Sequence, residues 1–178
     1  MSTIRPNMES LRGLGNFTQL FRWYVEFESL PSALGGFNSD DINFRAESTG
    51  LPKMGGASTE IQIRGHKIKQ FGIADYGNVI TLTCIETVDN IISQFIHDWR
   101  ELCWQTEEGS TGKTHNKEDM EAIMRITRLD NMDNPIWWYK LFGCYQESYE
   151  LSDLDGATAD PLKPAPVISF DYFNDGPI

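Results

Sequence analysis

The sequence predicts a mainly β protein with one α-helix, an α+β fold built as a small β-barrel or sandwich. About seven to eight mostly antiparallel strands are expected, with one flanking helix near 88–105. Three observations predict this. Several short segments alternate apolar and polar residues with the period of two that a strand requires. One segment alone switches to the 3.6-residue period of a helix face. Clusters of Gly, Pro, Asn and Asp separate these segments, as turns do.

The elements follow in order. Residues 1–16 contain Pro6, Gly13 and Gly15 and read as an N-terminal arm, with one helical turn around Met8–Leu11. From Phe17 the pattern changes: Phe21, Trp23, Val25 and Phe27 alternate with Arg22, Tyr24, Glu26 and Glu28, a half-buried strand ended by Pro31 and Gly35-Gly36. Ile42, Phe44 and Ala46 alternate in the same way with Asn43, Arg45 and Glu47, and predict a second strand. After Leu51-Pro52 and Gly55-Gly56, Ile61 and Ile63 lead to a turn at Gly65-His66 and back through Ile68 to Phe71. This hairpin has little apolar surface of its own, and an isolated two-stranded hairpin is marginal in water, so it is expected to rest on something else.

Val79–Ile85 is β-branched or apolar at nearly every position and predicts a strand covered on both faces. Between 88 and 105, Val88, Ile91, Ile92, Phe95, Ile96, Trp99, Leu102 and Cys103 fall on one helical stripe, with Asp89 and Asn90 suited to its start. Residues 106–119 are polar and form a loop, Ala122–Leu129 a strand, and Asp130–Asn134 a turn. In the strand that follows Pro135, Ile136, Trp138 and Phe142 share one face while Trp137, Tyr139 and Leu141 share the other. Such a strand must be covered on both sides, inside one subunit or between subunits. Residues 145–166 hold five acids and three prolines and read as an acidic surface loop, before a terminal strand, Val167–Phe173, with Ile168, Phe170 and Tyr172 on one face.

The 178 residues suit one domain, 1–178. Fifteen Lys and Arg against 26 Asp and Glu leave a net charge of −11, which argues against a function of gripping a phosphate backbone. Hydrophobic residues make up 40% and aromatics 12%, too many for an acidic disordered chain. The N-terminal stretch lacks the apolar run of a secretory signal and no stretch is long enough to span a membrane, so a soluble chain made in a cytosol is expected. Cys84, Cys103 and Cys144 are odd in number and widely spaced, which fits reduced, buried thiols.

Candidates for chemistry are few. Gly109-Ser110-Thr111-Gly112-Lys113-Thr114 looks like the end of a phosphate-binding loop, but the required first glycine is Glu107, and the segment follows a helix and precedes a strand. His97 and Asp98 are helix neighbours about 100° apart, and Cys103 lies on the apolar stripe. His66 and His115 sit in the hairpin and a loop. Asp40-Asp41 and Glu107-Glu108 are adjacent carboxylates without a calcium-loop pattern. No catalytic residue, metal ligand or cofactor is expected, and the alternative of a small cytosolic enzyme rests on His97 and Cys103 alone.

One order of elements is nonetheless distinctive. Phe17-Thr18-Gln19-Leu20-Phe21 runs into FRWYVEFESL, then ESTGLPKM with Leu51-Pro52, then EIQIRGHKIKQFGIADYGNVITLTCIE, then a helix closing FIHDW at Asp98-Trp99. Over roughly 17–173 this order resembles the tail tube proteins of contractile-tailed bacteriophages. The resemblance implies that six copies close a ring around one continuous inner barrel and that rings stack into a tube for DNA passage. It further implies that 51–71 is the extended loop and hairpin contacting the next ring, through Leu51, Pro52, Ile61, Ile63, Ile68 and Phe71. The implied partners are further copies of the chain, a tail sheath protein outside, baseplate and tail terminator proteins at the ends, and DNA as passing cargo, in a virion assembled in the host bacterial cytoplasm. A baseplate or tube-end protein of the same fold is the alternative. The acidic segment 145–166 departs from the simplest family pattern and suits the outer face of a tube, against a sheath; an acidic bore would let a polyanion slide without sticking.

Overall fold

The computed structural model describes residues 8–106, 112–151 and 154–178, and in them the period-two segments become strands. In chain order the elements are α1 (Met8–Arg12), β1 (Trp23–Ser29), a 3-10 turn (Ser32–Leu34), α2 (Ser39–Arg45) and β2 (Ala46–Thr49). There follow β3 (Gly55–Ile63), β4 (His66–Asp75), β5 (Val79–Cys84), α3 (Ile91–Cys103), α4 (Lys117–Met120), β6 (Ala122–Leu129), β7 (Pro135–Glu150), β8 (Ala165–Ser169) and β9 (Tyr172–Pro177). All strand pairings are antiparallel. The mainly β, single-long-helix expectation therefore stands.

The main sheet runs β1-β6-β7-β8-β5-β2, with β9 on β7, and it does not close into a barrel, because β1 and β2 at its two ends do not pair. β7 belongs to two leaves. Its first part pairs β6 and β9, with Trp138 opposite Thr127 and Gly176, and its last part pairs β8, with Glu150 opposite Ala165. The passage occurs at Gly143, whose φ of 66° lies in the left-handed region where a side chain is strained. The Asp171 carboxylate occupies the place a Cβ would take there.

The core joins both leaves to α3, with Ile80, Leu82 and Ile168 of the second leaf in the same buried cluster as Val25, Met124 and Ile126 of the first. Phe95 and Trp99 of α3 meet Phe27 of β1 with ring centroids 5.6 and 5.9 Å apart, and Phe37 closes on Phe95 at 5.3 Å. Ile92, Ile96 and Cys103 continue the buried stripe. Trp99 is fully buried, and its indole N–H donates to the Met120 carbonyl at 3.0 Å, so its polar atom is satisfied.

Several expectations are corrected. Residues 42–45 are not a strand: Asn38 Oδ1 accepts from the Asp40 N–H and Asp40 and Asp41 occupy the first turn, so the segment is the helix α2, and the strand β2 starts only at Ala46. That helix covers the outer edge of β1, where Val25 N–H donates to Asn43 Oδ1 at 2.9 Å and Phe27 N–H to Ser39 Oγ at 2.7 Å. β5 alternates, burying Ile80, Leu82 and Cys84 while Val79 and Thr81 are exposed, so only one face is covered. The helix near 88–105 begins later, at Ile91, and Val88 is fully exposed. Asn90 at its start has φ 54° and no side-chain cap; the Glu86 carboxylate caps instead. Residues 145–150 of the expected acidic loop are strand, and the terminal strand divides into β8 and β9, with Ile168 and Phe170 buried and Tyr172 exposed.

Other expectations hold. α1 supplies the turn of the arm, whose residues 1–7 lie outside the described residues. β6 has the predicted bounds, and Asp130 holds the next turn, accepting from Met132 N–H at 2.7 Å and Asn134 N–H at 2.9 Å. The residues 107–111, with Glu107-Glu108 and the first half of the phosphate-loop fragment, also lie outside the described residues. Trp137 and Trp138 are each half-buried, and guanidinium groups cover them: Arg128 is 6.0 Å from the Trp137 ring centre and Arg125 is 5.6 Å from that of Trp138.

Candidate assembly interface

The hairpin starts from its turn. Arg64 and Gly65 have φ of 46° and 83°, the two consecutive left-handed residues of a tight hairpin turn, so the turn is Arg64-Gly65 and not Gly65-His66. The strands are longer than the sequence suggests, reaching from Gly55 to Asp75. Near the base the register shifts between Gly56 and Ser58, and Gly72 is tight against the opposite strand: a Cβ there would meet the Ala57 carbonyl oxygen at 2.6 Å. Glycine at 72 lets the two backbones approach at this bulge.

Among the described residues β3 and β4 pair only with each other, and every residue of both is exposed. The register sorts the side chains. Ile61 lies opposite Ile68 and Ile63 opposite His66, so with Thr59 and Gln70 they share one face. Glu60 lies opposite Lys69, Gln62 opposite Lys67 and Ser58 opposite Phe71, which makes the other face charged. Glu60 serves both lysines, at 3.4 Å from Lys67 Nζ and 3.9 Å from Lys69 Nζ. The ribbon is thus amphipathic, with three isoleucines open to solvent on one side.

Of the six residues the sequence singles out, Ile61, Ile63 and Ile68 come together on that face. Phe71 stands on the opposite face and is fully exposed. Leu51 is at the base and not on the hairpin; it lines a groove with Thr18, Leu20, Trp23 and Ile126, and Pro52 follows it in the same connection. Sequence reasoning missed Ile73 and Met54 on the hairpin and its approach, and Phe17, Leu20 and Phe21 on the arm, all exposed. The strand alternation assigned Phe21 inward, but β1 begins only at Trp23. Gly13 and Gly15 ahead of an unpaired apolar run were the available signal for an exposed arm.

The residues weighed for chemistry stand apart from this surface. Burial pushes the Cys84 and Cys144 thiols up to about 12 and that of Cys103 to about 11, so none is a nucleophile near neutral pH. His97 Nδ1 meets Arg100 Nη2 at 2.9 Å, and Cys103 lies six residues along the same helix, on a different face. Asp41 pairs with Arg45 at 3.6 Å, while Asp40 is held in the first turn of α2. Among the described residues no group of three or more His, Cys, Asp or Glu is placed to hold a metal ion, and no helix is long and apolar enough to cross a membrane.

No family model matches the sequence, and no curated protein matches it. Solved structures do match the fold. A chain in the sixfold-symmetrised baseplate of the anti-feeding prophage aligns with a TM-score of 0.66 at 11% identity, covering 91% of this chain and 97% of that one. A chain in the extended sheath–tube complex of an extracellular contractile injection system, the PVC, aligns with a TM-score of 0.66 at 10% identity, over 97% of this chain and 99% of that one. A chain in the tube-terminating cap of the anti-feeding prophage aligns with a TM-score of 0.66 at 10% identity, over 92% and 93%. The chain has the tail-tube fold shared by components of contractile injection particles.

Proposed function

We propose that this chain is the tail tube subunit of a contractile-tailed bacteriophage. Six copies close a ring, rings stack into the inner tube, and DNA passes through that tube into the host during ejection. The sheath surrounds it, baseplate and terminator proteins bound its ends, and the particle is assembled in the host bacterial cytoplasm. The observation that carries the reading is the hairpin 55–75, which has an apolar face that none of the described residues covers. A two-stranded ribbon is not stable on these terms alone, so a surface on another copy must supply the rest. The exposed Leu20 and Phe21, which line grooves with Thr49 at the hairpin base, add to the apolar area that assembly would cover.

A baseplate or tube-end role is the second reading, favoured by the likeness to chains in a baseplate and in a tube cap. Copy number in purified particles separates the two. A tube subunit is among the most abundant proteins of the particle, whereas an end protein is present as one ring. An enzymatic role has less support, since the thiols are buried and His97 is engaged with Arg100. Replacing His97 and Cys103 by alanine is expected to leave assembly unchanged.

A further inference from the structure

The second leaf has two ends, and they differ in charge. Thr49 lies opposite Leu82, Val79 opposite Ser169, and Ser169 opposite Tyr145, so these residues gather at one end. Ala46 lies opposite Cys84 and Ala165 opposite Glu150, which places those residues at the other. The hairpin leaves the leaf after Thr49 and returns at Val79, so it projects from the first end. At about 3.3 Å per residue its strands reach roughly 30 Å.

The acid-rich connection leaves the leaf after Glu150 and returns at Ala165, at the opposite end. Cys84 N–H donates to the Pro164 carbonyl and Glu86 N–H to the Leu162 carbonyl, both at 2.9 Å, which ties the connection to that end. No Lys, Arg or His occurs between Lys140 and Lys163, and Glu150, Asp155 and Asp160 are all exposed. The hairpin end is the reverse. Within a chain of net charge −11, residues 53–75 carry four cations, Lys53, Arg64, Lys67 and Lys69, against two carboxylates, Glu60 and Asp75 at the base. Since Glu60 is shared by two lysines, positive charge is left over on an exposed protrusion.

We propose that stacking is electrostatic and head-to-tail: the basic hairpin of one copy docks on Glu150, Asp155 and Asp160 at the far end of a copy in the next ring. The proposal rests on the reading of the chain as a self-stacking tube protein, and names the surface that receives the hairpin. Two different patches meet, so the contact is heterologous and repeats along an axis without closing on itself. Complementary charge also sets the direction of addition, since hairpin against hairpin and acid against acid repel. These acids then belong to the stacking end and not to the outer face of the tube.

The test uses the full chain in two charge-reversed forms, Lys67→Glu with Lys69→Glu, and Glu150→Lys with Asp155→Lys. Each alone is expected to form rings but at least about tenfold fewer sedimenting tubes, and an equal mixture of the two to form tubes again. Normal stacking by either form alone, or a mixture that remains as rings, overturns the proposal. Ile61→Asp is run beside them. If it blocks stacking while the reversed forms stack, only the acidic docking surface is wrong; if it also stacks normally, the hairpin reading itself fails. Should a reversed form not fold, tubes of the unaltered chain decide through salt. Shortening between about 0.05 M and about 0.5 M NaCl supports the proposal, and tubes that persist or lengthen overturn it.

Discussion

The Glu86 carboxylate caps α3 through Ser93, accepting from its backbone N–H at 2.7 Å and from its hydroxyl at 2.5 Å, while Oε1 accepts from the Ile92 N–H at 3.3 Å. Two of the unpaired first-turn donors are satisfied by one residue, and its negative charge stands at the positive end of the helix. Glu86→Ala is expected to lower stability by about 1–2 kcal/mol, with Glu86→Gln costing less, because the amide still accepts. Urea unfolding of the three proteins checks this; coincident midpoints would contradict the capping role.

Gly143 is the second point where local geometry decides the fold. A side chain there meets both a φ of 66° and the Asp171 carboxylate, which pairs with Lys117 Nζ. Gly143→Ala is expected to cost about 1–2 kcal/mol from the left-handed backbone alone, with more from displacing Asp171. Thermal unfolding measures it, and an unchanged midpoint would mean that the bend of β7 has another cause.

The hairpin substitutions should separate folding from assembly. Ile61 and Ile68 touch nothing in the core, so Ile61→Asp and Ile68→Asp are expected to change subunit stability by no more than about 0.5 kcal/mol while blocking stacking and leaving the chain soluble. Tubes of normal length from either variant would remove the hairpin from the interface.

The three thiols give a pH dependence with a defined sign. Their folded values lie near 12, 11 and 12, above the ordinary value of 9.0, so the unfolded chain loses these protons first as pH rises. Their contribution to stability is complete below about pH 9 and falls progressively from there toward pH 12. Stability measured from pH 8 to pH 10.5 should decline, and the slope should flatten when Cys84 and Cys144 are replaced by alanine, after allowing for the cavities this leaves. Thiol reagents at pH 8 should label the native chain slowly and the urea-unfolded chain fully.

The parts of the fold legible in the sequence were those where one face is buried and both ends are punctuated. Ala122–Leu129 is such a strand, with Ala122, Met124 and Ile126 in the core and the Asp130 turn after it. The α3 stripe was legible for the same reason, at the helical period. Seven residues from Ser39 to Arg45 defeated the reading because two turns of helix and a short strand place Ile42, Phe44 and Ala46 equally well; the capping by Asn38 decided it. Val79–Cys84 misled through β-branching, which favours strand without saying how many faces are covered. The acidic composition of 145–150 concealed a strand whose outward side chains are simply charged. Of the candidate interface, the isoleucine face was legible from spacing, whereas the position of Phe71 on the opposite face depends on a register that no residue type announces.

Whether the chain assembles as a tube subunit is decided by negative-stain microscopy of the purified protein. A self-stacking tube subunit forms rings, and tubes of uniform diameter built from them. Featureless monomers across the concentrations at which the protein is soluble would contradict that reading.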